Sequence, residues 1–370
     1  MAYLKQASLD ALPQVRALGR CTSRAPLTLF WAASGIELDF TGSELWVDFF
    51  ADYEVMEPWV SVELDGVCIA RFAVNPGASR ACIFRGMTQG KIKHVRLLKE
   101  VQAMHDDTKH LLQVTGLEFA GGEFLPLPEP NYRLEFIGDS ITSGEGAIGA
   151  RCEEDWVCAF FSAENDYARM TADALGAEYR CISQSGWGIV SAWDNNPYNI
   201  MQPYYTQVCG VAVGEQNEAL GAQQPNDFKA WQPDAVIFNL GTNDFSAFGN
   251  PPWQDPETGK TYKLRRLSNG DFHPEDAQRV ADSVSSFLAL ARANNPQAKL
   301  VWCTGMLGSG IMPLLKRGVE QYKAGTGDTQ VWLLELPATT QATFGARRHP
   351  SVQSHRQAAE ALAEFLKKIL

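Results

Sequence analysis

A serine, a glycine, an asparagine and a histidine, each placed where an apolar run breaks or a helix begins, are the residues of this chain whose types and positions could do chemistry. In "RLEFIGDSITSGEG", residues 133 to 146, apolar and β-forming residues lead into Gly-Asp-Ser-Ile-Thr. That pattern is a buried strand that breaks at Gly138 and presents Ser140 at its carboxyl end, where α/β enzymes place chemistry. A serine hydroxyl is a poor nucleophile at neutral pH. Ester cleavage needs a base for it, donors for the developing oxyanion, and a group that fixes the base. "SQSGWG" places Gly186 just beyond a second strand, "NLGTNDF" places Asn243 beyond a third, and "RRHPS" places His349 at the start of the final helix. Taken singly these are weak signals, since Gly-Asp-Ser arises by chance, Asn-Asp makes turns, and His-Pro before a helix is an ordinary loop element. Their shared rim makes them a set.

The elements that must hold that rim divide in two. From about residue 27 to 122 the apolar spacing is short and alternating ("GIELDFTG", "ELWVDFFADY", "WVSVELDGVCIARFAV", "LLQVTGLEFA"), with a Leu-Asp-Gly-Val hairpin signal at residues 64 to 67. Seven or eight such strands imply an all-β sandwich over residues 1–125. The Gly- and Pro-rich "GGEFLPLPEPNY", residues 121 to 132, marks the boundary, and residues 126–370 then alternate strand and helix. Strands are expected at "RLEFIGDS", "AEYRCISQS", "DAVIFNLG", "KLVWCTGM" and "QVWLLEL". The closing helix, "HPSVQSHRQAAEALAEFLKKIL", sets Ala358, Leu362, Phe365 and Leu366 near one face. Five strands alternating with helices make a three-layer α/β domain around a parallel sheet. The stretch from Trp187 to Gln232 has weak periodicity and is expected to be active-site loop with short helices.

Composition bounds the partners. Of 370 residues, 45% are hydrophobic and 20% charged, which gives a core to bury and no disorder signature, and the formal net charge is -11. An acidic surface repels phosphate backbones and anionic lipid, so neutral small molecules or sugars are expected as partners, with no nucleic acid and no membrane. The eight cysteines are scattered without a metal-like spacing and read as small buried hydrophobes. No metal and no cofactor is expected. The N-terminal "MAYLKQASLDALPQV" lacks the apolar core of a secretion signal, which sets the expectation of a cytoplasmic protein.

In order, G-D-S-[IL] after the first strand, S-G-x-G after the second, G-x-N-D after the third and H-P before the last helix resemble the SGNH (GDSL-type) hydrolase superfamily over residues 133 to 370. The resemblance implies a flavodoxin-like parallel sheet. It also implies Ser140 as nucleophile, His349 as base, and an oxyanion hole formed by the backbone N–H groups of Ser140 and Gly186 with the Asn243 side-chain amide. The superfamily usually carries an aspartate two or three residues before the histidine. This chain reads "FGARRHPS", with Ala346 and Arg347 there. The expected arrangement is therefore a Ser-His dyad whose imidazole is held by a backbone carbonyl or another acceptor. His273 is expected at a helix entry and His355 in a packing role. His105 and His110 lack any catalytic pattern.

A β-sandwich placed before such a domain is similar to carbohydrate esterase family 2. That resemblance implies an N-terminal jelly roll and removal of O-acetyl groups from plant-type polysaccharides such as acetylated mannan, glucomannan or xylan. Flat rings suit pyranose faces. Trp187, which follows the oxyanion glycine, is the expected stacking platform, with Trp193, Tyr204, Tyr205 and Trp253 as further substrate contacts. Two alternatives stay open: a lipid or acyl-thioester esterase, which would need a long apolar channel, and a catalytically weak carbohydrate-binding protein. The oligomeric state is not legible.

Overall fold

The computed structural model describes residues 4–370. The first three residues of the N-terminal stretch expected to lack a secretion signal lie outside the described residues. The chain separates into two compact units: residues 1–130 with 155–164 and 204–226, and residues 131–154 with 165–203 and 227–370.

The first unit is built of two antiparallel sheets. One orders strands Lys5–Ala7, Leu111–Ala120, Glu44–Asp52 and Gly77–Arg85, and the other Phe124–Leu125, Gly35–Phe40, Lys93–Lys99, Trp59–Leu64 and Val67–Ala73. Strict alternation along Glu44–Asp52 turns Leu45, Val47, Phe49 and Ala51 into the core, where they meet Ile36, Leu38, Val60, Val62, Val95 and Leu97 from the second sheet. The Leu64↔Val67 hairpin closes through Asp65 and Gly66, both at positive φ (50° and 82°), the geometry that Asp-Gly favours. The segment Tyr204–Asn226, expected as active-site loop, belongs to this unit. Arg20 donates to the carbonyls of Tyr205 (2.6 Å) and Gln207 (2.7 Å), and the Trp31 indole N–H donates to that of Val208 (2.7 Å). Buried arginine and tryptophan donors need acceptors, and this chain segment supplies them. The cysteine expectation holds for Cys158, Cys181, Cys209 and Cys303. Cys68, Cys82 and Cys152 are instead exposed, the first two on strands Val67–Ala73 and Gly77–Arg85 at the edges of their sheets and the third in a turn.

The second unit is organised by a parallel sheet of β1 (Tyr132–Gly138), β2 (Ala177–Ser183), β3 (Ala235–Asn239), β4 (Lys299–Thr304) and β5 (Val331–Glu335), in the order 2-1-3-4-5. Strands β1, β3 and β4 are buried almost throughout because helices cover both faces. Helix α1 (Tyr167–Leu175) packs against the closing helix α5 (Val352–Leu366), and α3 (Pro274–Asn294) packs against α4 (Met312–Thr326); the short α2 (Thr242–Gly249) follows β3. Strand order reverses beside β1. Right-handed crossovers then carry α1 and α3 to opposite faces and leave a crevice at the carboxyl ends. The register sets those ends level, pairing Gly138 with both Ser183 and Asn239.

Candidate active site

The turn that carries Ser140 begins where β1 can no longer continue. A Cβ on Gly138 would stand 2.0 Å from Thr142 Oγ1, so only glycine lets the chain fold back under its own strand. Asp139 is fully enclosed and accepts from the Ile141 N–H (3.0 Å). Burial pushes its carboxyl up to about 7, with Asp244 and Glu145 adding to the rise. Ser140 follows, 6% exposed, and its carbonyl accepts from the Glu145 N–H (3.0 Å).

His349 arrives on a turn of unusual backbone. Arg347 and Arg348 both lie at positive φ, 52° and 55°, which costs a non-glycine residue about 1 kcal/mol or more each. The turn is held by the Arg347 N–H donating to Glu153 O (2.7 Å) and the Ala346 N–H donating to Gly146 O (3.0 Å). In this conformation the Arg347 carbonyl lies 3.0 Å from His349 Nδ1, while His349 Nε2 lies 2.9 Å from Ser140 Oγ. A carbonyl only accepts, so Nδ1 carries the proton and Nε2 presents its lone pair to the serine hydroxyl. That tautomer is the one a general base requires. The group fixing the His349 ring is thus the Arg347 backbone. Glu145, which sequence reasoning missed, sits beside it: its Oε1 is 2.5 Å from Arg347 Nη1 and 3.6 Å from His349 Nε2. The only sequence signal was a lone glutamate in "SGEG", 202 residues from its arginine.

The donor side is assembled by α2. Asn243 Nδ2 donates to Trp187 O (2.8 Å) and to Asp139 Oδ2 (3.2 Å), so one amide bridges the residue after Gly186 and the residue before Ser140. Its neighbour Asp244 accepts from the backbone N–H groups of Ile189 (2.8 Å), Val190 (2.8 Å) and Ser191 (3.2 Å), which pins the loop. Burial raises the Asp244 carboxyl to about 6, against the pull of those three donors. Gly186 takes φ +79°, open to glycine. No hydrogen bond among the described residues engages the N–H of Ser140 or Gly186.

The aromatic expectations need correction. The Trp187 ring is 3% exposed, and its backbone carbonyl orients Asn243, so it has no open face for a sugar. Tyr205 is fully buried in the first unit with the Arg20 guanidinium over its ring at 5.1 Å, which removes it as a substrate contact. Tyr204 lies half-buried in that same unit. Trp193 is 54% exposed and lies against the donor glycine, since a Cβ on Gly186 would meet its Cδ1 at 3.0 Å. Trp253 is half-buried and packs edge-on to the exposed Tyr198. His355 is fully buried, stacks on Tyr167, accepts from the Tyr167 N–H (3.1 Å) and is held neutral by burial. His273 stands at the N-terminus of α3. Among the described residues no cluster of three or more His, Cys, Asp or Glu could hold a metal ion, and no helix is long and apolar enough to cross a membrane.

With this geometry in hand, the relationships of the chain have a physical meaning. Residues 136–368, from β1 through α5, match the GDSL-like lipase/acylhydrolase family, and the chain belongs to that family. Over its full length it is similar to an acetyl xylan esterase, Est2A, from the rumen bacterium Butyrivibrio proteoclasticus, at 42% identity and a TM-score of 0.97, covering 100% of this chain and 99% of that one. It is also similar to a family two carbohydrate esterase from Clostridium thermocellum solved with cellohexaose (25% identity, TM-score 0.78, 96% and 98% of the two chains). The cellulase/esterase CelE of Acetivibrio thermocellus is 28% identical over 349 residues, or 92% of this chain, and the chain spans 37% of that relative's length.

Proposed function

We propose that this chain is a serine carbohydrate esterase that removes O-acetyl groups from plant-type oligosaccharides, acetylated xylan first and acetylated mannan or glucomannan next, through an acyl-enzyme on Ser140. The observation that carries the reading is the hydrogen-bonded line from the Arg347 carbonyl through His349 to Ser140 Oγ. Ser140 Oγ attacks the acetyl carbonyl as its proton passes to His349 Nε2. The carbonyl electron pair moves onto oxygen, where the N–H groups of Ser140 and Gly186 and the Asn243 amide stabilise it; Asn243 shares toward the oxyanion the N–H now on the longer contact to Asp139. Collapse of that intermediate breaks the bond to the sugar oxygen, which takes the proton from Nε2. Water then attacks the acetyl-serine with the same base, and acetate and free Ser140 result. Trp193 offers the stacking face for the sugar, in place of Trp187. The antiparallel unit is a jelly-roll sandwich in this reading. Support comes from the 42% identity with an enzyme named as an acetyl xylan esterase.

The test is acetate release by the purified chain from acetylated xylan, mannan and glucomannan oligosaccharides, with butanoyl and octanoyl aryl esters alongside. Acetate is expected from the oligosaccharides, with octanoate esters cleaved far more slowly, and Ser140→Ala is expected to lose at least about 99% of turnover. Octanoate preferred over acetate would favour a lipid esterase instead, and no acetate at all would favour a binding protein.

A further inference from the structure

The nucleophile turn and the base turn are joined by an ion pair to which the chemistry above assigns nothing. Glu145 is 4% exposed, and its carboxylate meets the Arg347 guanidinium at 2.5 Å. Arg347 is also the residue whose carbonyl holds His349 Nδ1, in a backbone conformation that persists only where surrounding contacts over-determine it. Its guanidinium therefore ties the strained turn to the loop that carries Ser140. The same carboxylate has a second neighbour. Its Oε1 stands 3.6 Å from His349 Nε2, the nitrogen that receives the proton. That distance is too long to compete with the serine for a hydrogen bond and short enough for charge to act in a site largely shielded from water.

We propose that Glu145 and Arg347 are positioning residues for the base, dividing between them the work of the aspartate that is absent before His349. Arg347 fixes the carbonyl that sets the tautomer. Glu145 supplies the negative charge that stabilises the imidazolium, from the Nε2 side instead of the Nδ1 side. The pairing with Arg347 also holds the carboxylate 3.6 Å from Nε2, too far to take the serine proton itself. The inference rests on the dyad reading of Ser140 and His349. The charged and titratable groups around His349 are Glu145 and Asp139 from the nucleophile turn, Arg347 from its own turn, and His355, held neutral by burial, from α5. The Arg348 guanidinium turns instead to Glu154 at 3.9 Å.

The experiment is the pH dependence of kcat/KM on 4-nitrophenyl acetate, from pH 5 to pH 9, for the full chain and for Glu145→Gln, Arg347→Met, Arg347→Lys and His349→Ala. Glu145→Gln keeps the shape and an acceptor for Arg347 but loses the charge. It should lower kcat about tenfold with KM nearly unchanged, and move the acidic limb down by about one pH unit. Arg347→Met leaves the carboxylate and removes the cation, so its acidic limb should move up, and Arg347→Lys should return the limb toward the parent. Opposite displacements are the signature, because a merely structural staple would lower melting temperature and kcat in both variants while leaving the limb in place. Limbs unmoved, or moved the same way, would overturn the inference while an inert His349→Ala left the dyad standing. A His349→Ala variant retaining more than about a hundredth of the activity would overturn the dyad itself. Should Arg347→Met fail to fold by circular dichroism, the limb of Arg347→Lys against that of Glu145→Gln decides the matter.

Discussion

His349 has a carbonyl at the position where a carboxylate would otherwise hold the ring, and the difference is one of charge more than of geometry. The carbonyl selects the same tautomer, but it brings only a partial charge to the imidazolium. In the proposed dyad a neighbouring side chain makes up part of the stabilisation, and Glu145 lies 3.6 Å from the ring. The sugar contact turns on single residues as well. Trp193 is expected to bind the pyranose beside the oxyanion donors, so Trp193→Ala should raise KM on acetylated xylo-oligosaccharides about tenfold, the worth of one exposed aromatic platform. It should leave KM on 4-nitrophenyl acetate within about twofold, because that ester carries no sugar to stack on the platform. Equal losses on both substrates would mean that the ring only shapes the Gly186 turn.

The geometry of the candidate site is a property of turns clamped to one another, with the sheet as their common base. The 138–147 turn and the 345–352 turn are joined by the Ala346 N–H to Gly146 O (3.0 Å) and the Val352 N–H to Ala147 O (3.2 Å), while α2 holds the Gly186 loop through Asp244. Gly146 is the point of closest approach: it takes φ +68°, and a Cβ there would stand 2.4 Å from Ala346 O and 2.8 Å from His349 Cβ. Gly146→Ala is therefore expected to cost about 2 kcal/mol or more of stability, combining left-handed strain with a clash against backbone that cannot yield. Separation of Nε2 from Oγ should accompany it and lower kcat at least about tenfold. Thermal melting and kcat measured on the same preparation check this, and an unchanged kcat would show that the base turn can be displaced without consequence.

The two units should respond differently to acid. In the first, burial opposes the ionised form of Glu37, yet hydrogen bonds from His94 and Arg96 with the charges of Arg96 and Arg16 hold its carboxyl at about 2. A carboxyl held low stabilises the fold above its ordinary value near 4.5, and that contribution disappears as pH falls toward 2. Burial holds His110, in the same unit, at about 3, so its neutral form favours the fold above pH 6.5 and the benefit is lost on acidification. In the second unit His355, also near 3, behaves the same way. Asp139 and Asp244 act in the opposite sense, because a carboxyl raised to about 7 or 6 binds its proton more tightly when folded. Their contribution is present below about pH 4 and is lost as pH rises through 6 to 7. Between pH 7 and pH 4 His110 and His355 weaken their units alike, and the gain from Asp139 and Asp244 should leave the second unit losing less stability than the first. Hydrogen exchange followed at residues 44–52 and 235–239 reads the two separately, and faster acid opening of the parallel sheet would contradict the balance.

What the sequence determined by itself was everything with a short period. Alternation over Glu44–Asp52, the Asp-Gly hairpin at residues 65 and 66, the five strands of the parallel sheet and the strand-to-turn breaks at Gly138 and Gly186 depend on neighbours a few residues away, and each is legible for that reason. The rim followed too, because parallel strands joined by right-handed crossovers leave their carboxyl ends on one side. The acceptor behind His349, the charge beside it and the exposure of each ring were decided only by the tertiary structure. The Arg347 carbonyl becomes an acceptor through a left-handed backbone that no propensity of arginine favours, and Glu145 reaches it across 202 residues. Trp187 and Trp193 have the same side chain and flank the same glycine loop, yet one is enclosed and the other open. Nor could periodicity show that residues 204–226 return to the first unit, where their carbonyls satisfy Arg20 and Trp31. Local pattern fixes which way a side chain alternates, whereas the packing of distant segments fixes what it meets.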